Sequence, residues 1–243
     1  MAYLCHVMLS TQLLFSDVLR MLYPHNCPGC GEPIILPAHY LCPYCIAALP
    51  ETGFWRVKEN RLLQQFWGRL LLQQAQAFIY FQEKSIPAIL LKRLKYRGET
   101  GIAAFLGRLF AEALCRTDSC FIIPDGIVPL PLHPRRLRQR GYNQSLLLAR
   151  AMAEVWQIPV WSDAVVRSRY ALSQTTRSRW QRWQNVSGLF SVKQPALLSG
   201  RHVLLLDDVI TTGSTMESCG RCMLNVPGTT LSVAAIATAT RFV

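Results

Sequence analysis

Apolar residues recur at two different periods along the chain, and the change of period divides it. Over residues 10–25, Leu13, Leu14, Val18 and Leu22 fall at helical spacing, which predicts a short amphipathic helix. Residues 51–76 sustain no period and read as a connection with some helix. From residue 77 onward, short apolar runs alternate with amphipathic stretches. Strands are expected at 77–81, 127–132, 203–206 and 231–237, and helices at 86–96, 101–115, 143–156, 174–185 and 214–224. The helix at 143–156 places Leu147, Leu148, Ala151, Met152 and Val155 on one face, whereas the one at 174–185 is polar. Residues 203–206 are wholly apolar, the pattern of a strand covered on both sides in a parallel sheet. Strands alternating with helices predict an α/β architecture, a parallel sheet flanked by helices.

Composition sharpens this picture in two ways. With 243 residues, 51% of them apolar and 16% charged, the chain fits one sizeable domain with its own core plus a small appendage. The boundary is expected near residue 50, with an N-terminal helix and cysteine module over 1–50 and the α/β domain over 51–243. No apolar run reaches the ~20 residues of a membrane span, and no basic segment precedes the short apolar stretch at the N-terminus. A cytoplasmic protein without a membrane span is therefore expected. The net charge of +12 points to anionic partners. It is uneven: no Asp or Glu lies between Asp163 and Asp207, and Arg135, Arg136, Arg138 and Arg140 cluster just upstream.

Cys27-Pro-Gly-Cys30 and Cys42-Pro-Tyr-Cys45 form two short hooks. Each can present two sulfurs to one ion, which suits tetrahedral Zn²⁺ in a closed, structural site. A redox pair and inert thiols are the alternatives. Cys219 and Cys222 repeat the spacing without a second hook and read as core or surface thiols.

The most informative stretch runs from Leu204 to Thr215. A buried strand ends in Asp207 and Asp208, and Thr211, Thr212, Gly213, Ser214 and Thr215 then open a helix. Backbone N–H groups at a helix N-terminus bind a phosphate dianion, with Gly213 allowing close approach and the hydroxyls adding donors. The paired carboxylates can take the vicinal hydroxyls of a ribose, directly or through Mg²⁺. An ordinary capped strand–turn–helix is the competing explanation. A Walker loop is excluded because no Gly-Lys-Ser/Thr follows.

This segment resembles the phosphoribosyl-pyrophosphate signature of type I phosphoribosyltransferases. More of the chain resembles the ComF/GntX family of competence-associated proteins. The matching elements are the two cysteine hooks, Leu94-Lys-Tyr-Arg-Gly98, Val128-Pro-Leu-Pro-Leu-His133, Arg136, Arg140-Gly-Tyr-Asn-Gln144, Gln174-Thr175 with Arg182, Asn185-Val186, and the loop itself. Family members usually carry Leu and Glu where this chain has Arg177 and Gln181, so this stretch is more basic here. The resemblance implies a type I phosphoribosyltransferase fold with a small N-terminal zinc module built on four cysteines. It also implies that Val128, Pro129 and Leu130 form a pyrophosphate loop whose N–H groups face the leaving group. Arg135, Arg136 and Arg140 could neutralise that group, an exposed basic loop being the other reading.

The resemblance further implies a role in DNA uptake, with single-stranded DNA and the uptake machinery as partners. The stretch Arg177-Ser-Arg179-Trp180-Gln-Arg182-Trp183 suits such a strand, because cations follow phosphates and indoles stack on bases. An amphipathic helix packing its tryptophans is the other reading. Two functions stand side by side: a phosphoribosyltransferase using phosphoribosyl pyrophosphate and Mg²⁺, with an unnamed acceptor, and a non-catalytic, nucleotide-responsive module that binds single strands.

Overall fold

A computed structural model of the chain describes residues 25–34, 40–167 and 189–239. The helices expected at 10–25 and 174–185 lie outside these residues. The chain divides into two compact units, residues 1–49 and 50–243.

In the first unit, β1 (His25–Asn26) pairs antiparallel with β2 (Pro33–Ile34). The turn between them closes through Cys27 N–H to Glu32 O and Gly31 N–H to Cys27 O, both 2.8 Å. Cys42 then caps α1 (Pro43–Ala47), whose first turn accepts Pro43 because the N–H there has no intrahelical partner.

The second unit is built on a parallel sheet of β3 (Ala75–Phe81), β4 (Gly126–Pro129), β7 (His202–Ile210) and β8 (Thr230–Ala239), in the order β3-β8-β7-β4. Between β4 and β7 in sequence, β5 (Val165–Arg167) and β6 (Phe190–Val192) form a separate antiparallel pair. Side chains alternate across a strand, so each strand feeds two layers. Ala75, Ala77, Val128, Val203, Leu205, Leu231 and Val233 join one core with Met216, Cys219 and Met223 of α7 (Ser214–Leu224) and with Phe66 and Leu70. The opposite layer contains α4 (Gly101–Leu114) and α6 (Gln144–Trp156), and there Phe78 of β3 stacks on Phe110 of α4 at 5.4 Å. The two helices cross closely at Gly107, where a Cβ would lie 2.8 Å from Ala151 Cβ. Helices on both faces explain why β7 and β8 read as continuous apolar runs.

Several expectations change. The strand expected at 127–132 stops at Pro129, because the next prolines cannot extend a ladder. The strand expected at 203–206 runs on to Ile210, because β8 keeps pairing with it beyond the two acids (Asp207↔Ala235, Ile210↔Thr238). Asp207 and Asp208 thus lie within the strand and not after it. The arginine cluster, read as a loop, is helix α5 (Pro134–Arg140), started by His133-Pro134 and stopped by Gly141 at φ 79°. The α3 helix (Ile86–Tyr96), capped by Ser85, has the expected bounds. Among the described residues no helix is long and apolar enough to cross a membrane.

Candidate functional site: an acid pair beside a hydroxyl-rich turn

Three elements meet at the acids of β7. Ser145 Oγ, in the first turn of α6, donates to Asp207 Oδ1 at 2.9 Å, and the Asp208 N–H donates to the same oxygen at 2.8 Å. Asn143 fixes Ser145 by capping α6, its Oδ1 accepting the Ser145 N–H at 3.1 Å. Lys95, in the last turn of α3, places Nζ 2.9 Å from Asp208 Oδ2. Burial first, and then the Asp208 charge, push the Asp207 carboxyl up to about 7, against the opposing donors and Lys95. A cation or a set of hydroxyl donors would complete the site beside Asp207. Ser145 is not legible in the sequence as part of the site, and Lys95 appears there only within the Leu94-Lys-Tyr-Arg-Gly98 element. Each meets its acid across a long sequence separation.

Past Ile210 the chain turns through Thr211, Thr212 and Gly213 into α7. Thr211, Thr212, Ser214 and Thr215 are exposed, with Thr212 Oγ1 and Ser214 Oγ 3.2 Å apart. The first-turn N–H groups of α7 add unpaired donors at its positive end. Gly213 is needed for two reasons. Its φ is +73°, and a Cβ there would lie 2.7 Å from the Phe66 ring, which is fully buried. The space its missing side chain leaves is thus filled by Phe66 and is not open to a ligand. Replacing Gly213 by Ala is expected to destabilise the protein by about 1–3 kcal/mol, measured by denaturant unfolding. A variant as stable as the parent would mean that the ring yields.

The Val128–Leu130 stretch needs a correction. Pro129 and Pro131 have no N–H, Val128 is in the β4–β7 ladder, and Leu130 donates its N–H to Leu206 O at 2.8 Å. The register of β4 on β7 takes up these donors, so N–H groups for a ligand begin at Leu132. Asn143 Nδ2 steadies the loop by donating to Leu130 O at 3.1 Å, and the Tyr142 hydroxyl donates to Leu94 O. Arg140 is partly engaged, with Gln144 at 2.9 Å and the Tyr96 ring at 5.5 Å, while Arg136 is exposed. A cavity of about 500 Å³ opens beside the loop, lined by Pro131, Leu132, Asn143, Arg150 and Arg167 among others. Arg177, Arg179, Trp180, Arg182 and Trp183 lie outside the described residues.

In the first unit, the sulfurs of Cys27, Cys30, Cys42 and Cys45 all lie within 4.8 Å of one another, with Cys30 and Cys42 3.6 Å apart. Tetrahedral Zn–S bonds of ~2.3 Å require sulfurs roughly 3.8 Å apart, so this cluster could hold a zinc ion. Burial opposes ionisation of Cys27, but N–H donation, including that of Cys42 at 3.4 Å, brings its thiol down to about 6. Burial and the neighbouring sulfurs push Cys45 up to about 12. Four crowded thiols cannot all ionise unless a cation joins them. Cys219, by contrast, is fully buried on α7, and burial pushes its thiol well up, as expected of an inert core group.

Residues 143–241 match the Phosphoribosyl transferase domain family, a span holding Ser145, the acid pair and the hydroxyl-rich turn. The chain is 30% identical to DNA utilization protein YhgH of Escherichia coli O157:H7, over 85% of this chain and 81% of that protein. It is 34% identical to the protein of that name from Salmonella typhi, with the same coverage. It is 31% identical to Competence protein F of Haemophilus influenzae, over 81% of this chain and 83% of that one.

Proposed function

Because the chain belongs to the ComF family, with a type I phosphoribosyltransferase domain, we propose that it binds phosphoribosyl pyrophosphate with Mg²⁺ and serves DNA uptake or utilisation. The observation that carries this reading is the acid pair of β7 running into a hydroxyl-rich turn that opens α7. Asp207 and Asp208 take the ribose hydroxyls, and residues 211–215 take the 5-phosphate. The segment after β4, from Leu132 into α5 with Arg136 and Arg140, faces the pyrophosphate. Bound Mg²⁺ would supply neutralisation of the pyrophosphate oxygens. In a transfer reaction the bond from ribose C1 to the pyrophosphate oxygen breaks and a bond from C1 to the acceptor forms. The chain's own contribution is positioning and electrostatic stabilisation of the charges that develop. The names of the relatives support the DNA role, and the acid-free, arginine-rich stretch after Asp163 suits a polyanion.

Calorimetric titration with phosphoribosyl pyrophosphate should give Mg²⁺-dependent binding. Asp208→Asn and Thr212→Val should each weaken it roughly ten- to hundredfold, the loss of a hydrogen bond to a charged group. Unchanged affinity in both variants would falsify the assignment. The second reading, a binding module without turnover, is separated from the first by assaying pyrophosphate release with bases, amines and ammonia. Salt-dependent oligonucleotide binding tests the DNA role independently.

The separate cluster of Cys27, Cys30, Cys42 and Cys45 sulfurs, all within 4.8 Å of one another, supports a structural Zn²⁺.

A further inference from the structure

We propose that Gln65 and Arg69, which precede the matched domain, are positioning residues that aim the backbone N–H groups of the turn after β7 at the 5-phosphate. This rests on the reading of residues 211–215 as a phosphate loop and adds what holds that loop in a binding shape.

Gln65 follows the short helix α2 (Arg61–Gln64), which is capped by Asn60. Its Nε2 donates to Thr211 O at 2.9 Å. One turn of chain later, Arg69 Nη1 donates to Thr212 O at 3.0 Å. Two successive carbonyls of the turn are thus drawn toward the same segment. In a planar trans peptide the N–H points opposite to the carbonyl. The N–H of Thr212 must therefore point away from Gln65, and the N–H of Gly213 away from Arg69. No backbone–backbone hydrogen bond among the described residues uses either N–H. Consecutive N–H groups facing one way make a concave anion site, and the first turn of α7 extends it. Between the two side chains, Phe66 packs under Gly213 and keeps the turn from collapsing onto that side.

Arg69 has a second effect at the same place. Glu217, in the first turn of α7, would repel a phosphate bound there. Arg69 Nε and Nη2 bind its Oε2 at 2.9 and 2.6 Å, and Arg221 binds Oε1 at 2.9 Å. Burial alone would raise the Glu217 carboxyl, but the two guanidinium groups outweigh it and hold the group below its ordinary range. Glu217 is thus ionised yet neutralised, and its oxygens are turned to the arginines. One guanidinium orients a peptide and screens a carboxylate.

The test uses full-length protein and three ligands with Mg²⁺: ribose 5-phosphate, phosphoribosyl pyrophosphate and inorganic pyrophosphate. Gln65→Glu is nearly isosteric and sets an acceptor against the Thr211 carbonyl; Arg69→Met removes the donors while keeping length. Each should weaken both 5-phosphate ligands about tenfold and leave pyrophosphate affinity within about twofold. Arg69→Lys, which can still donate to Thr212 O, should recover part of the loss. Equal weakening of all three ligands alongside a lowered melting temperature would make these residues merely structural and overturn the proposal. So would variants that bind like the parent. A parent that binds pyrophosphate but no 5-phosphate ligand would instead sink the phosphate-loop reading itself, and this proposal with it.

Discussion

Replacing Cys42 by Ser is expected to strip the protein of metal and unfold its N-terminal unit while residues 50–243 stay folded. The described residues of that unit offer little else to hold it. Its described strands are two residues each and its described helix five, whereas hairpins alone are marginal in water and scaffolds of this size usually rely on metals or disulfides. Cys42 combines three things: a sulfur in the cluster, the backbone of the N-cap position of α1, and an N–H that donates to the Cys27 sulfur. Ser retains only the backbone roles. Structural zinc supplies about 10–16 kcal/mol of apparent binding free energy near neutral pH, far more than such a unit can replace. The parent should carry about one Zn²⁺ per chain by elemental analysis, and the variant almost none. Limited proteolysis should then cut the variant within residues 25–49 and spare the sheet domain, which has its own core. Metal binding must displace protons from the clustered thiols, so zinc retention should weaken as pH falls. A metal-free parent whose N-terminal unit resists protease would refute the zinc assignment.

Asp207→Asn should move stability and ligand binding in opposite directions. The Asp207 carboxyl is raised from 3.8 to about 7 by burial and by the Asp208 charge. The folded state therefore holds that proton more tightly than the unfolded chain does. Its stabilising contribution is complete below the unfolded value and is lost as pH rises through 7. Near pH 8 the ionised group costs on the order of 2–4 kcal/mol. Asn keeps an oxygen for the Ser145 hydroxyl and the Asp208 N–H but cannot ionise. The variant should thus melt higher than the parent near pH 8, and the difference should vanish toward pH 4. Binding of phosphoribosyl pyrophosphate with Mg²⁺ favours the ionised form, so parental affinity should rise from about pH 6 to 8 with proton release. In the variant it should be roughly ten- to hundredfold weaker and nearly flat with pH. Identical melting profiles for the two proteins across this range would contradict a raised Asp207.

What could be read from the residues alone is what local chemistry decides. The helices Ile86–Tyr96 and Ser214–Leu224 have the expected bounds because period, cap and stop signals all lie within a few residues. The cysteine hooks are legible for the same reason, each being a pair of thiols brought close by its own short segment. The hydroxyl-rich turn announces itself because a buried strand, two acids and a helix start are contiguous. Tertiary structure alone decided the rest. The extension of β7 through Asp207 and Asp208 depends on β8 lying beside it, and no apolar pattern marks two carboxylates as strand. Leu130 loses its N–H to Leu206 only because β4 pairs with β7 in that register. Ser145 meets Asp207 from 62 residues away, and Gln65 meets Thr211 from 146. Such contacts are set by strand order and by which helix covers which face. Side-chain periodicity tells a segment that it has a buried face, but the partner on that face is chosen by the packing of the whole sheet.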